Sequence, residues 1–320
     1  MAKALLAVVF LCLAVSVEAQ DRYPSKPLRV IVPFAPGGST DIFARLVGEK
    51  LSGALGQPVV IENRAGASGN IGADAVAKSA PDGATLLMAT TGVMAINNAL
   101  FKDLPYDAAK DLEPVVFIAS ITNVLAVPAD SPAKSVADLV ALARKSPGAL
   151  TFASSGAGSS THLSAELLKS MAGIDLVHVP FKGSGQALVD VVAGRVSMII
   201  DNMPSALPHI RGGKLRALGV TGSRRSGALP EVPTIAEAGV RGYESLSWSG
   251  FAVAAGTPRD IVQRLNRETN AILATADMKQ KLAEQGADAV GGPPEDFARH
   301  VRAEREKWGR LVRERGIVVN

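Results

Sequence analysis

The sequence predicts an α/β protein of two lobes, each a mainly parallel sheet flanked by helices, and three observations carry that prediction. Short β-branched runs alternate with amphipathic helical stretches, the pattern of strands linked by crossover helices. Several of those runs exit through glycine-rich turns straight into a helix. The chain has 320 residues, 47% of them hydrophobic, which is core enough for about two domains.

The first unit is Leu28 to Val32, the turn Pro33 to Thr40, and a helix from about Asp41. Ile42, Leu46, Val47, Leu51 and Leu55 share a face of that helix, and Gly56 is placed to end it. Pro58 to Ile61, Thr85 to Ala89 and Val115 to Ala119 read as strands. A second series begins near Asn123, with strands at Val124–Val127, Leu150–Ala153, Leu176–Val179, Val196–Ile200 and Leu215–Val220. Ser135 to Asp138 opens a helix as a capping box, and Thr234 to Glu237 is another such box. Thr161–Met171 is a helix ended by Gly173. After Pro258 the pattern is helical, with one stripe at Ile261, Leu265, Thr269 and Ile272 and a second at Phe297, Val301, Trp308, Leu311 and Val312.

Composition narrows the function. Gly (31) and Pro (19) are too few for a low-complexity chain. Lys and Arg (34) nearly match Asp and Glu (30), and no basic run appears, so nucleic acid is not favoured as a partner. Residues 1–19 read as a signal peptide: Lys3 supplies the positive start, Leu5 to Val17 is apolar, and Val17-Glu18-Ala19 presents a cleavage site near Ala19. That run is too short to span a bilayer comfortably. The single cysteine, Cys12, lies inside it and follows Leu11 rather than the small residue of a lipoprotein signal. The exported chain then has no thiol.

Ligands of open α/β sheets sit where strands end. Pro36-Gly37-Gly38-Ser39-Thr40-Asp41 combines glycines that let backbone approach a ligand with a helix start whose free N–H groups suit an anion such as a carboxylate. An ordinary tight turn capped by Ser39 or Thr40 fits the spacing equally well. Ser154 to His162, with Ser155, Gly156, Gly158, Ser159 and Ser160, also joins a strand to a helix and offers hydroxyls to a small polar ligand, or is a solvated loop with a capping serine. It starts like a dinucleotide fingerprint, but Thr161 replaces the third glycine and no ribose-binding acid follows. Thr90-Thr91-Gly92 is a weaker strand exit. Lys182 faces a carboxylate or only solvent; Asp201 accepts from a ligand ammonium or caps its loop. His162, His178, His209 and His300 show no metal-ligand spacing, and no nucleophile elbow or phosphate loop is present.

The chain resembles the periplasmic solute receptors of tripartite tricarboxylate transporters, the Bug-type receptors. The resemblance rests on Val32 to Asp41, Glu62 to Gly72, Ala80-Pro-Asp-Gly83, Leu104-Pro-Tyr-Asp107, Ser155 to Leu163, Val179-Pro-Phe-Lys-Gly183, Pro230 to Thr234 and Glu237-Ala-Gly239, in order over the whole exported chain. Departures are Ala35 where many relatives have proline and Phe181 where many have tyrosine. The resemblance implies a two-lobed, type II-like periplasmic binding protein fold with the ligand cleft between the lobes. One lobe would comprise 22–123 plus 236–320 and the other 124–235. It implies a periplasmic, monomeric, non-enzymatic receptor without a cofactor. That receptor would hold an amino acid, a di- or tricarboxylate or an aromatic acid and pass it to the transporter's membrane components. The ligand carboxylate would be held at Pro36 to Asp41 and Ser155 to His162, and Thr91 and Asp201 fall where such receptors contact ligand. Two rivals remain: an exported serine hydrolase with His162 as base, and a scavenging or signalling receptor without its own transporter.

Overall fold

The computed structural model describes residues 23–317. The expected signal peptide lies outside them. Among the described residues there are ten strands: β1 Leu28–Val32, β2 Val59–Asn63, β3 Thr85–Thr90, β4 Leu112–Pro128, β5 Thr151–Ser154, β6 Val177–Pro180, β7 Met198–Asn202, β8 Leu215–Val220, β9 Leu246–Ala254 and β10 Ala287–Ala289. They run in the order β2-β1-β3-β9-β4-β7-β5-β6, with β8 and β10 also paired to β4. Each lobe has three parallel strands, β2-β1-β3 in one and β6-β5-β7 in the other. The remaining pairings, all made with β4 or β9, are antiparallel.

β4 is where the sheets meet. The sequence predicts two short strands here; the structure has one of 17 residues. Leu112 to Thr122 pair with β9, and Asn123 onward pairs with β7 and β8. The polar stretch Ser120–Asn123 looks like a connection, but its backbone is held on both sides. Asn123 N donates to Thr221 Oγ1 at 3.0 Å and Asn123 O accepts from Thr221 N at 3.0 Å.

β9 was not predicted. Eight of its nine residues are buried, Ser247 and Ser249 included, so no period-2 alternation marks it. Gly250 lies at its centre because the Phe297 ring seats on it: a Cβ there would be 2.5 Å from the ring and 2.4 Å from Val116 O. The helix carrying Phe297, Pro294–Arg315, thereby packs Val301, Trp308 and Val312 against Ile31, Leu87 and Phe117 of the first lobe. The opposite face of that sheet is covered by Ser39–Leu55 and Arg259–Ala274. The buried face of Ser39–Leu55 is Phe43, Val47, Leu51 and Leu55; Ile42 and Leu46 are only half-buried.

In the second lobe Val136–Lys145 and Ser160–Ala172 cover one face, while Ser184–Val192 and Met203–Arg211 cover the other. The expected return to the first lobe after 235 needs correcting. Ile235, Val240 and Tyr243 belong to the second lobe's core, and Tyr243 Oη donates to Ser164 O at 2.9 Å. The first residue paired back is Leu246, opposite Thr122. No helix among the described residues is long and apolar enough to cross a membrane.

Candidate functional site

Two helices, one from each lobe, start at a shared cleft. Ser39–Leu55 begins after Gly38, which is extended (φ −84°, ψ 166°), and its Cβ position would come no closer than 3.8 Å to Ser184 of the other lobe. Ser160–Ala172 begins after Ser159, whose Oγ accepts from His162 N at 3.2 Å. A helix start leaves its first N–H groups without intrahelical acceptors and carries a partial positive charge. Gly38, Ser39 and Thr40 face Ser155, Ser159 and Ser160 across a small cavity of about 30 Å³. Phe34, Thr90, Gly92, Ile121, Ser184, Asn202, Ser247, Trp248 and Ser249 complete the lining, and no charged side chain is among these residues.

The lobes touch around this cavity. Ser39 N donates to Ser205 Oγ at 2.9 Å, and Ala35 N donates to Lys182 O at 3.4 Å. Ser68 Oγ donates to Ala157 O. Ser68 sits at φ +57° between Ala67 at +45° and Gly69 at +90°, a left-handed turn costly for the two side-chain-bearing residues. Trp248 is fixed from behind: its Nε1 and that of Trp308 both donate to Glu304 Oε2, at 3.3 and 2.8 Å.

Not every expected site residue lines the cavity. Of the first loop, Gly38, Ser39 and Thr40 do, and Pro36, Gly37 and Asp41 do not. Asp41 is turned into its own loop. It accepts from Gly37 N at 3.1 Å, from Arg45 at 2.9 and 3.1 Å, and from Asn63 Nδ2 at 3.0 Å. Burial opposes ionisation there, but these donors prevail and hold its carboxyl below the usual range. Gly156 and Gly158 shape the second loop at φ +144° and +85° without lining the cavity. Thr91 is fully buried and its Oγ1 accepts from Trp248 N at 3.1 Å, so its neighbours Thr90 and Gly92 face the cavity instead.

His162 also faces away. Its Nδ1 accepts from Gly158 N at 3.0 Å and its ring stacks on His178 with centroids 3.9 Å apart. Burial, then His178 and Lys169, push it down to about 3. Ser159 Oγ donates to Gly156 O at 2.7 Å rather than to a base. The Ser–His contact in this region is Ser154 Oγ to His178 Nε2 at 2.7 Å; Ser154 is fully buried behind the loop. Asp201 is fully buried, accepts from Ser184 Oγ at 2.6 Å and lies outside the lining, while Asn202 reaches it. Lys182 lines an adjoining pocket with Phe181 and Gln186, and Phe34 and Ser155 border both. Among the described residues no three His, Cys, Asp or Glu side chains group as a metal site.

The sequence marks Ser184 and Asn202 only as polar strand ends, and sequence reasoning missed the β9 residues Ser247, Trp248 and Ser249. The available signal was Ser-Trp-Ser-Gly, polar residues in a segment with no turn signature beside one of only two tryptophans.

A profile of the family described as tripartite tricarboxylate transporter family receptor matches residues 43–317. The chain belongs to that family. Protein BugT of Bordetella pertussis is 40% identical, aligned over 92% of this chain and 91% of its own. The structure of Rpa4515 from R. palustris, solved with adipate, matches at TM-score 0.91 and 43% identity, over 92% of this chain and 99% of that one. MatC from Rhodopseudomonas palustris, with bound malate, matches at TM-score 0.87 and 34% identity, over 91% and 100%. The two-lobed periplasmic binding protein fold is thus shared with receptors that hold small carboxylates.

Proposed function

We propose that this chain is an extracytoplasmic, non-enzymatic receptor that closes on one small carboxylate and delivers it to the membrane components of a tripartite tricarboxylate-type transporter. The observation that carries the reading is the pair of helix starts, from opposite lobes, at one cavity lined only by neutral side chains. Peptide N–H groups and hydroxyls donate to an anion without bringing a counter-charge that would itself need desolvating. The ligand carboxylate first engages the Gly38–Thr40 turn. Contacts with Ser155, Ser159 and Ser160 form only when the lobes meet, so differential contact favours the closed state. Family membership and the adipate- and malate-bound relatives support the ligand class and the transporter partner. The hydrolase reading gains no support from His162, whose ring nitrogen is occupied by a backbone donor.

Thermal melting against a panel of organic acids tests the proposal. A ligand at one hundred times its dissociation constant adds about 2.7 kcal/mol. The reading fails if no carboxylate shifts the transition.

A further inference from the structure

Two hydroxyls in the cleft belong to neither loop. Thr90 ends β3, Ser249 lies on β9, and the antiparallel register sets them directly opposite each other. Directly opposed residues send their side chains to the same face, and both line the cavity. Thr90 is 9% exposed and Ser249 1%. Neither Thr90 Oγ1 nor Ser249 Oγ has a hydrogen-bond partner among the described residues. Buried hydroxyls are nearly always satisfied. Other polar side chains around them are engaged: Thr91 by Trp248 N, Ser247 by Asn123, Asn202 and Ser160, and Ser184 by Asp201.

We propose that Thr90 and Ser249 form a second polar subsite that reads a hydroxyl group on the bound acid, making the receptor selective for hydroxycarboxylates over their deoxy counterparts. The proposal rests on the carboxylate reading above and names the substrate class within it. Each serine or threonine hydroxyl offers one donor and two acceptor positions. A second carboxylate only accepts, and an ammonium only donates. A ligand hydroxyl does both, so it satisfies the two side chains together. No carboxylate lines the cavity to hold an ammonium. A site with paired buried polar groups discriminates against the ligand that leaves them unpaired.

Titration calorimetry with L-malate, succinate, L-aspartate and adipate on the wild type, Thr90→Val, Ser249→Ala and the double variant tests this. Malate and succinate differ by one hydroxyl. Malate is expected to bind at least about tenfold more tightly than succinate. Both single variants narrow that ratio, and the double variant abolishes it by weakening malate more than succinate. Melting of each ligand-free variant checks that the fold is kept. Equal malate and succinate affinities, preference for aspartate or adipate, or a ratio that survives in the double variant overturns the subsite and leaves the carboxylate reading standing. If none of the four acids binds, the carboxylate reading fails, and the subsite with it.

Discussion

Ser39 and Asn202 join the two lobes across the cleft: Ser39 Oγ donates to Asn202 Oδ1 at 2.7 Å, and both side chains are buried. The same amide reaches the crossing strands, since Asn202 Nδ2 donates to Ser247 Oγ of β9 at 2.8 Å and to Asn123 Oδ1 of β4. One side chain therefore couples the helix start of the first lobe to both β4 and β9.

Ser39→Ala removes a bond that exists only when the lobes meet. Leaving a buried acceptor unpaired costs about 1–3 kcal/mol. Ligand affinity is expected to fall roughly five- to hundredfold, with little change in the melting of each lobe. Calorimetry measures the affinity, and X-ray scattering follows closure. Unchanged affinity would show that the bond does not hold the closed form.

Gly250→Ala places a methyl group 2.4 Å from Val116 O and 2.5 Å from the Phe297 ring. Both are packed and cannot yield freely, so the loss is expected to reach about 3 kcal/mol or more in denaturant unfolding. Gly53→Ala is the contrast. It lies within the Ser39–Leu55 helix, a Cβ there meets nothing within 4 Å, and the change should stabilise by roughly 0.5–1 kcal/mol. Equal effects at the two positions would contradict the packing described.

Acid should weaken the fold through the stacked histidines. Burial holds His162 at about 3 and His178 at about 4, whereas an unfolded histidine titrates near 6.5. The unfolded chain binds more protons below about pH 6.5, so stability falls as pH drops from there toward 4. His162→Asn keeps an acceptor for Gly158 N and removes one titration. Its melting temperature should decline less than the wild type's between pH 7 and pH 5; parallel curves would refute the assignment.

Asp201 acts with the opposite sign. Burial raises its carboxyl to about 6, against the lowering effect of Ser184 and Asn202 N–H. The folded state then binds the extra proton, so this contribution is full at low pH and is lost as pH rises through about 6. Asp201→Asn keeps the acceptor for Ser184 Oγ. It is expected to raise the melting temperature more at pH 8 than at pH 5, since the unfolded carboxyl is already ionised at pH 5. A larger gain at pH 5 would show the carboxyl to be ionised there.

Local physics made much of this protein legible in its sequence. The capping box at Thr234 closes as written, with Thr234 N on Glu237 Oε2 at 2.9 Å and Glu237 N on Thr234 Oγ1 at 3.0 Å. Gly56 and Gly173 end their helices in the left-handed conformation at φ +69° and +61°. Phe297, Val301, Trp308 and Val312 of the predicted stripe are buried, and Leu311 is half-buried beside them. Caps and helical stripes involve residues a few positions apart, so sequence alone determined them, along with the two glycine-rich strand exits. Which atoms face the cavity was decided by tertiary structure. Asp41 and His162 sit in the two loops that reach the cavity, yet their side chains are consumed by Arg45, Asn63 and Gly158. Ser247, Trp248 and Ser249 reach the cleft because β9 inserts between β3 and β4, pairing Thr90 with a residue 159 positions later. A strand buried on both faces carries no alternation to betray it, and register between distant segments is written in no local pattern.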